Sequence, residues 1–166
     1  MAKLLGIVGR KGAGKTTLIE RLVPELKRRG HRVGTVKRPP HHFQADTPGK
    51  DSYRHFHSGA DVSVVYHGEV AAAFFRIEAS TPVSQLADHL MPGCDVVLVE
   101  GHKTSDIPKI EVYRRGVGEG PLWREVQGVV AVVSDEDVEP GVPVLPLTDV
   151  GAIAFFIERA LGLRGG

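Results

Sequence analysis

The chain has 166 residues, of which 42% are hydrophobic and 25% are charged, a composition typical of a globular domain with a sizeable core. Its single cysteine, Cys94, excludes an intrachain disulfide, and no apolar stretch approaches the ~20 residues that a membrane span needs. We therefore expect one cytoplasmic domain over residues 1–166, with no membrane contact.

Charge is distributed unevenly along the chain, although the net charge is only +1. Residues 1–59 contain 13 lysines and arginines against four acids, whereas residues 60–166 contain eight against 16. This asymmetry predicts an anionic ligand near the N-terminal half. No long basic stripe interleaved with aromatic residues is evident, so we expect no nucleic-acid partner.

A strand is predicted at residues 3–8, and a glycine-rich segment follows it directly. Residues 9–16 read Gly-Arg-Lys-Gly-Ala-Gly-Lys-Thr, which is a complete Walker A pattern between a strand and a helix. The glycines permit backbone geometries closed to other residues, so the loop can form an anion nest at a helix N-terminus. Lys15 is expected to reach the β- and γ-phosphates of a nucleotide, and Thr16 to bind Mg²⁺. The predicted nucleotide contacts of this segment are Gly9, Arg10, Lys11, Gly12, Ala13, Gly14, Lys15, Thr16 and Thr17.

A helix is predicted from about residue 16 to 29, with a possible kink at Pro24 and a stop at Gly30. A strand at 32–36 then leads into a polar loop at 37–50 and a short helix at 51–57. Asp46 in this loop could reach Mg²⁺ or a water molecule, as a switch-like loop does. Four further side chains either contact an anion of a substrate or partner or form a solvated loop: His41, His42, Lys50 and Arg54.

Two strands at 61–66 and 70–77 are predicted to form a hairpin, followed by a helix at 83–90 and a buried strand at 96–99. Ligands bind at the carboxyl ends of strands in open α/β sheets, which is where Glu100 lies. Asp95, at the start of the same strand, would be ~16 Å away. Glu100 is therefore predicted to bind Mg²⁺ through water or to orient attacking water, and we group it with Lys15 and Asp46 as the catalytic residues. His102 and Lys103 follow on the same edge and either touch phosphate or are plain loop residues.

Strands at 110–113, 128–133 and 142–146 and a closing helix at 150–161 complete the pattern. Alternating strands and helices predict an α/β fold of the P-loop NTPase class, with a mainly parallel sheet, helices on both faces and an antiparallel edge hairpin. Asp135 or Asp137, after a late strand, could accept hydrogen bonds from guanine. The complete motif of guanine-specific proteins, which is Asn or Thr followed by Lys, any residue and Asp, is absent. The residues therefore favour guanine over adenine without specifying it.

With these segments located, the chain resembles the MobB family of molybdopterin-guanine dinucleotide biosynthesis proteins. The resemblance covers most of residues 1–115, and the combination of its motifs is far more specific than the Walker A loop alone. The matching stretches are residues 9–17, Val36-Lys37 with His41-His42, 46–54 (Asp-Thr-Pro-Gly-Lys-Asp-Ser-Tyr-Arg), Gly59-Ala60, 99–103 (Val-Glu-Gly-His-Lys) and 108–112 (Pro-Lys-Ile-Glu-Val).

The resemblance implies a P-loop fold that binds GTP and Mg²⁺ and hydrolyses GTP weakly. It also implies a homodimer to which the hairpin contributes. Members of this family assist a partner guanylyltransferase, MobA, which joins GMP to molybdopterin. The basic loop would then face the partner or the phosphate of molybdopterin.

Other functions share parts of this pattern. A metal-insertion GTPase of the nickel-enzyme type also combines a Walker A loop with histidines, although it would need a complete metal site. An ATP-dependent kinase or ligase of the dethiobiotin-synthetase type would use the 37–54 loop for its substrate. A scaffold that binds nucleotide without hydrolysing it is the third alternative.

Overall fold

The computed structural model describes residues 1–39, 44 and 46–163, which form two compact units. One unit comprises Met1–Arg38 and Pro82–Gly166, and the other comprises Pro39–Thr81. The strands are β1 (Lys3–Val8), β2 (Val33–Lys37), β3 (Val62–His67), β4 (Val70–Phe75), β5 (Val96–Glu100), β6 (Lys109–Val112), β7 (Val129–Val133) and β8 (Val144–Leu145). The helices are α1 (Lys15–Arg28), α2 (Asp51–His57), α3 (Val83–Leu90) and α4 (Val150–Leu161).

The first unit is built on a six-stranded sheet in the order β2-β5-β1-β6-β7-β8. Every pairing in this sheet is parallel. Parallel strands buried on both faces are continuously apolar, and β5 accordingly begins with four fully buried residues, Val-Val-Leu-Val. Because the strands are parallel, their carboxyl ends share one edge. Ile7 near the end of β1 pairs with Glu100 at the end of β5, which brings Glu100 to the edge where the Walker A loop begins.

Helices cover both faces of this sheet, as the sequence predicts. Alternate residues of β5 point to opposite sides, with Val96 and Leu98 in the core beneath α1 and α4, and Val97 and Val99 in a smaller core beneath α3. The two faces therefore hold separate apolar clusters, and the sheet is the middle layer of three.

Helix α1 presents an apolar stripe to the first core through Leu18, Ile19, Leu22 and Leu26. The helix continues through Pro24 to Arg28, and Arg29 is its C-cap. Gly30 follows the cap and has φ 92°. The amide of Gly30 donates to the carbonyl of Lys27, and the next amide, of His31, donates to Leu26. This pair of bonds is a Schellman motif, so glycine at position 30 ends the helix as predicted.

The second unit contains α2 and the hairpin of β3 and β4. The two strands pair antiparallel from Val62 with Phe75 to His67 with Val70. They form a two-stranded sheet of their own, so the antiparallel hairpin is confirmed but it is not hydrogen-bonded to the edge of the six-stranded sheet. Arg76 connects the hairpin to α2, because its guanidinium donates to the carbonyls of Ala60 and Phe56 and lies 4.4 Å from the Phe56 ring centroid.

Within the described part of the chain, none of the helices has the length and apolar character that crossing a membrane requires.

Candidate functional site

The Walker A loop connects β1 to α1 and adopts a conformation that only glycine tolerates at three positions. Gly9, Gly12 and Gly14 have φ values of 154°, 84° and 100°. A Cβ built on Gly9 would lie 2.6 Å from the carbonyl oxygen of Val112, so this position excludes a side chain by contact as well as by conformation. The loop thus turns tightly into the N-terminus of α1, where unpaired amides attract an anion.

Lys15 is the first residue of α1, and its ammonium group folds back over the loop. Nζ donates to the carbonyls of Gly9 and Arg10 at 3.1 and 3.0 Å. Partial burial lowers the pKa of Lys15; Glu100 opposes this change, while Lys103 and Lys37 lower the pKa further. Several cations therefore meet at one place, an arrangement that an anion between them would stabilise.

Thr16 and Glu100 are the two predicted metal ligands that the fold brings together. The Thr16 hydroxyl donates to the Glu100 carboxylate, with Oγ1 3.0 Å from Oε1 and 3.1 Å from Oε2. Nζ of Lys37, at the end of β2, lies 3.3 Å from the same carboxylate. A hydroxyl beside a carboxylate supplies the hard oxygen donors that Mg²⁺ prefers, so these residues fit that ion.

His102 and Lys103 follow β5 at the same edge. His102 has φ 57°, the only positive value among the described residues other than glycine, and its Nε2 lies 3.2 Å from Nη1 of Arg38. Burial lowers the pKa of His102, and the neighbouring Arg38 lowers it further. Lys103, which follows His102, is exposed. A role for either side chain in binding an anion stays a prediction.

The remaining predicted residues of the Walker A loop differ in their surroundings. Ala13 is buried in the core, whereas Lys11 and Thr17 are exposed. Arg10 turns away toward the segment after β6, where Nε donates to the carbonyl of Gly120 at 2.9 Å and Nη2 pairs with Glu125 at 2.6 Å. The Arg10 guanidinium is therefore occupied by the protein itself.

The predicted residues of the 41–54 segment lie in the second unit. Oδ1 of Asp46 accepts the amide of Thr47 at 2.7 Å, Lys50 is the residue before α2, and Arg54 within α2 lies 3.8 Å from Asp51. His41 and His42 lie outside the described residues. Roles for this set in binding metal or anions remain predictions.

Asp135 lies past the end of β7, at the carboxyl edge of the sheet. Its Oδ1 accepts the amide of Leu147 at 2.9 Å, which fastens the turn after β7 to the turn after β8. Asp137, the alternative guanine ligand, is exposed and makes no hydrogen bond within the described residues. Asp137 therefore has both oxygens available for a base, whereas Asp135 already has one partner.

Sequence reasoning missed one basic residue beside the Walker A loop. A Cβ built on Gly14 would lie 3.7 Å from Nη2 of Arg114, which follows β6. The signal was available: β6 ends at the same edge as β1 in a parallel sheet, and two arginines follow it. Arg115, the second of them, pairs instead with Glu136 at 3.6 Å.

A surface groove of about 760 Å³ lies at the opposite edge of the sheet, beside the residues that precede β1 and β5. It includes Cys94 and Asp95. Asp95 accepts the amide of Arg32 at 2.7 Å, so this acid has a structural role at the strand start, in agreement with the sequence interpretation. The Walker A loop is at the other edge, and we assign the candidate site there.

Comparison with known proteins gives a consistent result. Residues 4–135 match the family described as molybdopterin guanine dinucleotide synthesis protein B, MobB. The molybdopterin-guanine dinucleotide biosynthesis adapter protein of Haemophilus influenzae is 38% identical over 163 residues, which cover 95% of this chain and 89% of that protein. The protein of the same name from Escherichia coli is 35% identical over 170 residues, with coverage of 100% and 97%.

Solved structures agree with this match. A crystal structure described as molybdopterin-guanine biosynthesis protein B has a TM-score of 0.77 and 29% identity, over 95% of this chain and 99% of that one. The range that matches the family includes the Walker A loop, Glu100 and Asp135.

Proposed function

Because the chain belongs to the MobB family, we propose that it is a GTP-binding adapter in molybdenum cofactor biosynthesis. In this proposal it acts in the cytoplasm and assists a guanylyltransferase of the MobA type, which attaches GMP to molybdopterin. It binds GTP with Mg²⁺ at the Walker A loop and hydrolyses it slowly, as a single nucleotide-binding domain over residues 1–166.

One observation carries the nucleotide part of the proposal. The Thr16 hydroxyl and the Glu100 carboxylate are in hydrogen-bond contact beside Lys15, at the end of a loop with left-handed glycines. Each component occurs alone in many proteins, but together they combine an anion nest, a phosphate-binding cation and a pair of hard oxygen donors.

The proposed roles follow from these positions. Amides of the Walker A loop and Nζ of Lys15 bind the β- and γ-phosphates, which would replace the loop carbonyls as partners of the ammonium group. Thr16 would hold Mg²⁺ directly, Glu100 would hold it through water, and Asp46 is the further predicted ligand. When bound, Mg²⁺ neutralises phosphate charge and favours attack on the γ-phosphate.

A second proposed role is contact with the partner enzyme or its substrate. The side chains of the 41–54 segment and the residues after β5 would face the guanylyltransferase or the phosphate of molybdopterin. Those side chains are His41, His42, Lys50, Arg54, His102 and Lys103. The excess of basic residues in 1–59 supports an acidic or phosphorylated counterpart.

We expect hydrolysis to be slow, because two arginines that follow strands at this edge of the sheet already have protein partners. Arg10 binds Gly120 and Glu125, and Arg38 contacts His102. An arginine finger typically contributes 10³-fold or more to the rate, so its absence from the reacting phosphate leaves a weak GTPase.

The hairpin supports the proposed homodimer. Val64, Tyr66 and Val70 of this ribbon are 56%, 78% and 74% exposed. An isolated two-stranded ribbon is marginally stable in water, and apolar side chains this exposed are typical of an association surface. A second copy of the chain is the occupant that we propose.

Equilibrium binding of GTP and ATP in the presence of Mg²⁺ tests the nucleotide assignment. We expect the wild-type protein to prefer GTP, and Lys15→Ala to lose binding by 100-fold or more, because a charged phosphate contact in the loop is removed. Lys27→Ala, which removes an exposed cation from the far end of α1, is the matched control and should bind as the wild type does.

The outcomes separate the alternatives. Retention of GTP affinity in Lys15→Ala would refute the Walker A assignment. ATP preference together with turnover of a small substrate would support a kinase or ligase. Stoichiometric Ni²⁺ or Zn²⁺ after dialysis would support a metal-insertion GTPase, and binding without turnover even with the guanylyltransferase present would support a scaffold.

A further inference from the structure

The segment between β6 and β7, residues 113–128, contacts the Walker A loop at several residues. A Cβ built on Gly12 would lie 3.9 Å from Cγ1 of Val117, and one built on Gly14 would lie 3.7 Å from Nη2 of Arg114. The Arg10 side chain also crosses to this segment, where it lies against Gly118 and donates to the carbonyl of Gly120. Residues 114–120 therefore adjoin the Walker A loop.

Buried contacts also anchor this segment to the core. The buried carboxylate of Glu111 accepts the amide of Leu122 at 2.7 Å, and Leu122 is itself fully buried. The rings of Tyr113 and Trp123 pack edge to face with centroids 4.9 Å apart. Such contacts hold the backbone around Arg114, which brings the exposed side chain of this residue within reach of Gly14.

Arg114 differs from the other arginines around it in its partners. Arg10 pairs with Glu125, and Arg115 pairs with Glu136. The exposed guanidinium of Arg114 has no hydrogen bond or ion pair within the described part of the chain, and its Nη2 lies beside Gly14 of the Walker A loop. A guanidinium without a protein partner at this position is available to an anion that the loop binds.

We propose that Arg114 binds the phosphate chain of the nucleotide from the side opposite Glu100. The planar guanidinium can donate two parallel hydrogen bonds to phosphate oxygens, which a lysine cannot. Arg10 then has a different role from the one its place in the motif suggests: it fastens residues 113–128 to the Walker A loop. This inference rests on the proposed nucleotide site, which it deepens by one residue.

A contact of this kind is present in the ground state of the complex. It lowers the dissociation constant of nucleotide without requiring faster hydrolysis, because only contacts stronger in the transition state accelerate chemistry. The expectation of slow hydrolysis therefore stands beside this proposal.

Displacement titrations with a fluorescent GTP analogue, using GTP and inorganic triphosphate as competitors, test the proposal. We expect Arg114→Ala to weaken both ligands by roughly 10- to 100-fold, since a charge-assisted hydrogen bond is lost. Arg114→Lys should recover part of this loss. Arg124→Ala removes an exposed arginine of the same segment and should leave both dissociation constants within about twofold of the wild type.

An equal effect on GTP and triphosphate assigns the contact to phosphate. Loss of GTP affinity in Arg114→Ala without loss of triphosphate affinity would overturn the inference. It would also be overturned if Arg114→Ala bound both ligands as tightly as the control Arg124→Ala. Thermal unfolding of each variant verifies that the fold is retained, and Arg114→Lys decides the question if the alanine protein is unstable. Failure of the proposed function has a separate signature: Lys15→Ala retains affinity, or the wild type binds neither ligand.

Discussion

The hydroxyl of Thr16 donates to the carboxylate of Glu100 across 84 positions of sequence. Thr16 lies in the opening turn of α1, which follows β1 and the Walker A loop, and Glu100 ends β5. The parallel pairing of β1 with β5 brings both residues to one edge of the sheet. Phosphates bound by the loop would therefore meet a carboxylate that repels them unless a divalent cation lies between. This relationship makes Mg²⁺ dependence a direct test of the site.

The first prediction concerns that dependence. In the wild type, Mg²⁺ should strengthen GTP binding strongly. Glu100→Gln removes the negative charge, so in EDTA this variant should bind GTP at least as tightly as the wild type does. The increase in GTP affinity that Mg²⁺ produces should be roughly tenfold smaller in the variant than in the wild type. Isothermal titration in EDTA and in Mg²⁺ gives both constants for each protein.

Asp95→Asn is the matched control for Glu100→Gln, because it changes a carboxylate at the other end of the same strand. An asparagine oxygen can still accept the amide of Arg32, so this variant should match the wild type in both buffers. If Glu100→Gln kept the full gain from Mg²⁺, Glu100 would have no part in binding the ion.

The second prediction concerns the base. Recognition of guanine by a carboxylate uses both oxygens, and Asp135 has one of them on the Leu147 amide, whereas Asp137 has neither engaged within the described residues. We expect Asp137→Asn to reduce the ratio of GTP to ATP affinity by tenfold or more. Asp135→Asn should reduce it less and should leave the free energy of unfolding nearly unchanged, because the asparagine oxygen can still accept the Leu147 amide.

Competition of GTP and ATP for the same fluorescent nucleotide measures this ratio, and urea unfolding measures the stability. Asp149 is the N-cap residue of α4 and lies near the same edge of the sheet. Asp149→Asn removes an acidic charge there and is the control, which should keep the wild-type ratio of GTP to ATP affinity. A larger loss of preference in Asp135→Asn than in Asp137→Asn would return the base contact to Asp135.

The third prediction concerns pH. Burial raises the pKa of Glu111, so the folded protein binds a proton there more tightly than the unfolded chain does. From the ordinary pKa of 4.5 up to the raised value, the folded state carries more protons, and the free energy of unfolding falls as pH rises. Glu111→Gln cannot ionise and should lose this part of the pH dependence.

Urea unfolding of wild type and Glu111→Gln at about pH 5 and about pH 8 measures the difference, and the change between the two pH values is the quantity to compare. The comparison within each protein removes any constant cost of the buried amide. Glu119→Gln, which changes an exposed glutamate in the segment after β6, should have the same pH dependence as the wild type. Equal pH dependence in Glu111→Gln and wild type would contradict the prediction.

The fourth prediction concerns the hairpin. If its apolar side chains are covered by a second copy, a charge placed among them should weaken the dimer by tenfold or more, because an ionised group would be buried without a partner. Sedimentation velocity of Val64→Glu against the wild type measures this effect. Leu90→Glu, on an exposed position of α3, should not change the association state, and a monomeric wild type at micromolar concentration would refute the proposal.

Local pattern determined much of the fold. Buried parallel strands, amphipathic helices and glycine stops can be seen in short windows, which is why helices 83–90 and 150–161 and the Walker A loop were predicted at their observed positions. The location of Glu100 at the edge of the sheet where the Walker A loop begins was also predictable, because it depends only on the direction of parallel strands. Its role as a ligand stays a prediction.

The interior of β6 shows where local pattern fails. All four of its residues, Lys109 to Val112, are buried, including a lysine and a glutamate. Nζ of Lys109 donates to the carbonyls of Ser105, Ile107 and Gln127, and burial lowers the pKa of this lysine. The buried ammonium group is tolerable only because the folded backbone directs three carbonyls at it, two from the loop before β6 and one from the residue two positions before β7.

The sequence by itself determined the Walker A loop, the parallel sheet and the acid at its edge, because each depends on neighbouring residues and on strand direction. The tertiary structure alone decided how the arginines are used. Arg10 lies inside the motif yet binds Gly120 and Glu125, while Arg114 lies far along the chain yet reaches Gly14. The pairing of a charged side chain depends on which groups the fold places within a few ångströms, and spacing along the chain does not contain that information.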